Sequence, residues 1–412
     1  MNELIVRIAA RGDGVTAGGR HVPFGVPGDA VLDDGALAFG PHHQEPPCRH
    51  FPECGGCQLQ HADDEACRGY LVSRIETALA QHKLETEIRP PHLSPPRSRR
   101  RAILKALQVG RNVLIGFNAE MSHRIVDMRE CHVLRHELFE LIEPLRQLLS
   151  GMIHPKRVAE IQMTLIDGGV DVSLKGVPAG RLSEIEQLTS FAMDHDLARL
   201  SVDRGLGPEP MLEPRPATIT LSGLPVAFPP GSFLQATGDG ETALVESVEE
   251  AIAGASAIAD LFAGLGTFAL ATRARYAAEA SRDVTAALKR AAPNMIVEHR
   301  DLYRRPLDAG ELRAFDGVVL DPPRAGAEEQ VSALAGSSVP RIAYVSCNPA
   351  TFARDARALV DGGYSLDWIQ PIGQFRWSTH VELAARFTRG GSGRSRRAWS
   401  ARPGIKWRAR RS

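Results

Sequence analysis

AIADLFAGLGTF, residues 257–268, is the first of five short apolar runs that end in a turn carrying polar or glycine residues. The others are RYAAEA (275–280), MIVEHRD (295–301), FDGVVLDPP (315–323) and RIAYVSCNP (341–349), with helical spacing between them. Buried apolar strands alternating with helices predict an α/β fold with a doubly wound, mostly parallel sheet. Ligands of such sheets bind at the carboxyl ends of the strands, so the residues just after each run are the candidates for function.

At the first strand end, Gly264 and Gly266 allow a tight turn and close backbone approach, and the following helix offers N–H groups to an anion. Such a turn can also be a plain connection. The ordered series says more: Glu279 ends the second run and Asp301 the third. A carboxylate at the second strand end can accept two hydrogen bonds from ribose hydroxyls. No Gly-Lys-Ser/Thr follows the glycines, and the dinucleotide fingerprint is missing. A nucleoside cofactor with a carboxylate tail, such as S-adenosylmethionine, suits the pattern.

The fourth run leads into Asp321-Pro322-Pro323-Arg324 and the fifth into Ser346-Cys347-Asn348-Pro349. A structural cysteine would sit within an apolar run, whereas Cys347 ends one in the expected crevice, which marks it as a candidate nucleophile. Glu382, in Thr379-His380-Val381-Glu382-Leu383, is the candidate base, and His380 competes with it. Arg324 could hold a phosphate or orient Asp321.

Five further cysteines remain. Cys48, Cys54 and Cys57 form C-x5-C-x2-C in a loop rich in proline and glycine, with Cys131 as a fourth candidate ligand. Four thiolates fit a structural zinc or a [4Fe–4S] cluster equally well on count alone. The spacing differs from the C-x3-C-x2-C of radical enzymes, and a fourth cysteine would close the site. Cys67 has no partner at ligand spacing and is expected to be packed.

With 412 residues the chain should form two or three domains. No apolar run is long enough to cross a bilayer, and the start, MNELIVRIAARGDG, lacks a basic segment followed by an apolar one, so the expectation is a cytoplasmic protein. Formal net charge is zero, but residues 389–412 hold nine Lys/Arg and no acid, leaving 40 bases against 49 acids in residues 1–388. That tail is too polar to bury a core and is expected to be disordered. A second basic cluster, Arg97, Arg99, Arg100, Arg101 and Lys105, precedes a strand-like run and is the better candidate for touching nucleic acid. Residues 1–46, cut into short alternating segments by glycine and proline, predict a small β-barrel. Residues 47–225 mix helical and strand-like stretches into an α+β middle, and 226–388 form the doubly wound domain.

Taken together, C-x5-C-x2-C with Cys131, GFNAEMSHRIVDMREC (116–131), FLQ (233–235), DLFAGLGTF (260–268), DPPRAG (321–326), YVSCNP (344–349) and HVEL (380–383) resemble the RNA uracil-5 methyltransferase family, in particular its iron–sulfur branch acting on bacterial 23S rRNA. The resemblance runs to about Thr388. It implies a Rossmann-like class I methyltransferase domain, a central iron–sulfur domain, and a shortened OB-like barrel of the TRAM type. It further implies a [4Fe–4S] cluster on Cys48, Cys54, Cys57 and Cys131, with Cys347 as nucleophile and Glu382 as proton acceptor. Gln235, Phe262, Thr267, Glu279, Asp301 and Asp321 are implied to line an S-adenosyl-L-methionine site. The implied substrate is a uridine in structured RNA, 23S rRNA before tRNA, handled by a monomer. Uracil C5 is too electron-poor to take a methyl group until a thiolate adds at C6, and a base must then remove the C5 proton.

Three features depart from the family pattern. Ala236-Thr237 follow FLQ where Val-Asn is common, the chain between Gly266 and Asp301 is several residues shorter, and the basic tail has no counterpart. Two other readings compete. An amino-group N-methyltransferase would resemble [DN]PP[YF], but Arg324 replaces the aromatic and that chemistry needs no cysteine. An RNA-binding iron–sulfur protein with a degenerate methyltransferase domain would keep the cysteines and lose the cofactor site.

Overall fold

The computed structural model describes residues 3–389, so the basic tail beyond Arg389 lies outside the described residues. In chain order the C-terminal sheet holds β1 (Ile258–Leu261), β2 (Tyr276–Glu279), β3 (Ile296–His299), β4 (Gly317–Leu320), β5 (Arg341–Ser346), β6 (Tyr364–Gly373) and β7 (Glu382–Arg389). Their order across the sheet is β3-β2-β1-β4-β5-β7-β6. The first five run parallel, and β7 is antiparallel to both its neighbours. β1 and β4 are buried at every position, as expected of strands covered on both faces. The strand order reverses between β1 and β4, which opens a crevice outside their carboxyl ends.

Local chemistry sets the helices around that crevice. Asn348 caps the helix Pro349–Asp361 by accepting from Ala350 N–H, with proline in its first turn. Thr237 caps the helix Gly238–Ala251 through Gly240 N–H, so the departure from the common Asn still supplies a capping oxygen. The shortened stretch before Asp301 contains the short helix Thr267–Ala271 and the helix Arg282–Ala291, and β2 and β3 stay in parallel register around it.

The middle of the chain forms a six-stranded sheet in the order Pro208–Leu212, Arg199–Asp203, Gly169–Lys175, Val158–Ile166, Arg101–Val109, Asn112–Gly116. The helix Asp64–Gln81 packs on the helix Pro349–Asp361 and on β6, while Glu87–Ile88 and His92–Leu93 pair with β6. An edge strand leaves a row of backbone groups unpaired, and these two short strands cover it. Residues 3–38 form a five-stranded antiparallel sheet with a small core of Ile5, Val22 and Val31. Among the described residues no helix is long and apolar enough to cross a membrane.

Gly266, at the turn after β1, has φ +93°, and a Cβ there would come within 2.4 Å of Leu288 Cδ1. Gly266→Ala is therefore expected to lower stability by ~1–2 kcal/mol in a denaturant titration. It should also weaken nucleoside binding at the turn, read by calorimetry.

Candidate active site

One cavity of about 600 Å³ opens at the carboxyl ends of the parallel strands. Its lining brings together all eight of the expected catalytic and cofactor residues: Gln235, Phe262, Thr267, Glu279, Asp301, Asp321, Cys347 and Glu382. Phe262, held at φ +65°, turns the chain out of β1, and Thr267 opens the short helix behind the glycines. Glu279 is pinned by Gly264 N–H at 3.0 Å and Ser281 N–H at 2.7 Å, which presents its carboxylate at the end of β2. Asp301 accepts from Tyr303 N–H at 3.0 Å, and the Tyr303 ring lies 5.5 Å from that of Phe262. The set offers carboxylate acceptors for hydroxyl and amino groups, an aromatic wall and a glycine turn, which fits an adenosyl moiety.

Across the cavity, Cys347 follows β5 and Glu382 begins β7. Ser346 pairs with Leu383, so the two side chains come from neighbouring strands at one edge. Glu382 is buried, and Gln374 Nε2 donates to its Oε2. Burial pushes Glu382 up to about 7, offset partly by the Gln374 hydrogen bond and by Arg101. Burial and the nearby Glu382 carboxylate push Asp321 up to about 7 as well. Burial, then Glu382 and Asp321, hold the Cys347 thiol above its ordinary range, while Arg324 pulls it down. His380 is exposed and does not line the cavity, so the position suits Glu382 and not its competitor. Arg324 is on the rim, and its carbonyl accepts from Asn348 Nδ2 at 3.0 Å, tying the DPPR turn to the Cys347 turn.

Cys48, Cys54, Cys57 and Cys131 line a second, small cavity with Phe51, Phe117, Val126 and Met128. All four thiols are free, and burial raises each of them. Among the described residues no group of three or more His, Cys, Asp or Glu side chains is disposed to hold a metal ion. Cys67 is buried elsewhere, its thiol donating to Ala62 O.

The basic cluster is largely spent inside the molecule. Arg100 pairs with Glu241 at 2.6 Å, Lys105 pairs with Glu160, Arg101 lies over the Phe233 ring at 4.2 Å, and Arg99 sits beside the cysteines. Of the five, Arg97 alone is exposed. Sequence reasoning missed Gln374 and Tyr303, which belong to no motif. It also passed over Asp260, whose carboxylate is fully buried and whose acidity is suppressed by burial and by Asp321 and Glu279.

Comparison with known proteins settles the family. Residues 294–389 match a family profile described as tRNA (Uracil-5-)-methyltransferase. The 23S rRNA (uracil(1939)-C(5))-methyltransferase RlmD of Bordetella avium is 32% identical over 380 residues, covering 83% of this chain and 78% of that protein. The chain belongs to the RNA uracil-5 methyltransferase family. An uncharacterized RNA methyltransferase of Zymomonas mobilis is 48% identical, covering 93% of this chain and 99% of that one. The crystal structure of the Pyrococcus abyssi tRNA (uracil-54, C5)-methyltransferase in complex with S-adenosyl-L-homocysteine superposes with a TM-score of 0.73 at 25% identity, covering 94% of this chain and 99% of that one. The doubly wound sheet is thus the class I methyltransferase fold.

Asp321 and Glu382 have higher proton affinity folded than unfolded, since their ordinary values are 3.8 and 4.5 and burial raises both to about 7. Between about pH 4 and 7 the folded chain holds protons that the unfolded chain has lost, so this pair makes stability fall as pH rises through that window. Glu382→Gln should raise the thermal midpoint at pH 8 and change it little at pH 4. A variant equally shifted at both pH values would contradict the burial of this acid.

Proposed function

We propose that this family member methylates C5 of a uridine in structured 23S rRNA, through a covalent adduct between Cys347 Sγ and uracil C6. The observation that carries the proposal is a single cavity with Cys347 and Glu382 on one side and an adenosyl-compatible set on the other. S-adenosylmethionine, when bound by Gln235, Phe262, Thr267, Glu279, Asp301 and Asp321, supplies the electrophilic methyl group. Cys347 adds to C6, and the C5=C6 electrons move toward C5 and O4, giving an enolate whose C5 takes the methyl group. Glu382 then accepts the C5 proton, the double bond reforms, and the C6–S bond breaks to release Cys347. The base must leave its stack to enter such a pocket. The intact lining argues against a degenerate, binding-only domain, and the 23S assignment follows the relative of Bordetella avium.

Cys48, Cys54, Cys57 and Cys131 are proposed to hold a [4Fe–4S] cluster. A single zinc would need four sulfurs about 2.3 Å from one point. A four-iron cube accepts thiolates set farther apart, and the four cysteines here line one small cavity. Four clustered thiolates also need a compensating cation, and Arg99 lies beside Cys54, Cys57 and Cys131.

Two outcomes test the reading. Cys347→Ala should abolish methyl transfer, and RNA containing 5-fluorouridine should form a denaturation-resistant adduct with the native enzyme alone. Loss of 5-methyluridine from 23S rRNA in cells lacking the protein should accompany this; loss from tRNA instead would replace the substrate. Anaerobically purified protein should be brown and contain about four irons per chain, with Cys54→Ser losing both. A colourless, zinc-containing protein would overturn the cluster.

A further inference from the structure

Behind the two cavity residues Gln235 and Glu382 lies a buried glutamine that does not line the cavity. Gln374, 1% exposed, opens the segment from β6 to β7 and hydrogen-bonds both of those cavity residues. Its Oε1 accepts from Thr237 N–H at 3.3 Å. A backbone N–H can only donate, so this contact settles which end of the Gln374 amide is oxygen. Its Nε2 then faces two acceptors, Glu382 Oε2 and, at 2.8 Å, Gln235 Oε1. With Gln235 Oε1 occupied in this way, the Gln235 Nε2 is left toward the cavity, and no acceptor among the described residues meets it. Thr237 is itself anchored: it caps a helix and shares a 2.9 Å hydrogen bond with Ser94.

We propose that Gln374 is a positioning residue that locks the Gln235 carboxamide with its N–H group facing the base, so the site accepts a carbonyl at carbon 4 and refuses an amino group there. The inference rests on the uracil reading above. Of the two ring neighbours of C5, C6 is taken by Cys347, so C4 is the atom left for the Gln235 N–H to meet. Uracil presents O4, an acceptor, at that position, whereas cytosine presents an N4 amino group, a donor. Two donors facing each other leave both unpaired in a buried site, which is the strongest form of discrimination a pocket achieves. The same N–H stabilises the enolate, because addition of Cys347 at C6 places the developing negative charge on O4.

The test uses the full-length enzyme and a short RNA centred on the uridine found by mapping, carrying 5-fluorouridine or 5-fluorocytidine at that position. Fluorine blocks the final proton removal, so adduct formation reports attack by Cys347. The native enzyme should trap the fluorouridine RNA at least ~100-fold faster than the fluorocytidine RNA. Gln374→Met removes the lock and should lower that ratio about 10-fold, with the affinity for S-adenosylhomocysteine, read separately by calorimetry, falling by less than the ratio does. In turnover on unmodified RNA, where Glu382 must be ionised to take the C5 proton, it should also move the acid limb of the pH–rate profile upward, because the Gln374 hydrogen bond lowers the Glu382 proton affinity. Gln374→Glu offers only acceptors when ionised, turns the Gln235 carboxamide round, and should shift the preference toward fluorocytidine. If both variants keep the native ratio, or if the Glu variant keeps it while the Met variant fails to bind cofactor, the proposal is overturned. Failure of the native enzyme to trap either RNA would instead sink the covalent reading on which it rests.

Discussion

The antiparallel pairing of β5 with β7, Ser346 opposite Leu383, is the constraint on which the rest of the site depends. It places the residue after one strand beside the first residue of the other, so Cys347 and Glu382 meet without any long loop to bring them together. A slip of one residue would turn Glu382 to the opposite face of the sheet and destroy the pairing. β6 reinforces the register from the far side, with Ile372 opposite Glu382. The antiparallel strand inserted into a parallel sheet is therefore what converts a nucleoside-binding crevice into a site with both a thiol and a carboxylate.

The turn between β6 and β7 is braced from elsewhere in the chain. Gln58 and Leu59 N–H groups both donate to Trp377 O, at 2.7 and 2.8 Å, and Thr379 N–H donates to Gln58 Oε1. Arg376 donates to Ser94 O and pairs with Asp64. The cysteine loop thus supports the segment that delivers Glu382, and anything that orders that loop also orders the carboxylate. Because Gln58 directly follows Cys57, the two cavities are joined by backbone hydrogen bonds rather than by mere proximity.

The doubly wound sheet was legible because its strands are covered on both faces and therefore read as unbroken apolar runs, from AIADLF to RIAYVS. Cys347, Glu279, Asp301 and Asp321 were legible for the same reason, since each follows such a run. Gln235 came through motif resemblance, and Glu382 was a candidate base beside His380 that the resemblance then favoured, as neither follows a parallel strand. Gln374 could not be found from pattern: its importance lies in three hydrogen bonds to residues 235, 237 and 382, far apart along the chain except for the last. The partners of the basic cluster were hidden for a related reason. Charge along a sequence says nothing of partners, and Glu241 and Glu160, which neutralise Arg100 and Lys105, come from distant elements.

Burying Glu382 near Asp321 costs stability above neutral pH, yet it suits the proposed chemistry. Attack by Cys347 is opposed by nearby carboxylates, since a negative neighbour raises the thiol. A glutamate titrating near 7 spends much of its time neutral, which removes that opposition while the adduct forms. The same glutamate must later be ionised to take the C5 proton, and an ordinary carboxylate would be too weak a base for that step. A proton affinity near neutrality reconciles the two demands. It is set by burial, which raises it, against the single hydrogen bond from Gln374 and the charge of Arg101, which lower it. The residue that orients the base-reading amide thereby also tunes the acid, so recognition and proton transfer share one buried contact.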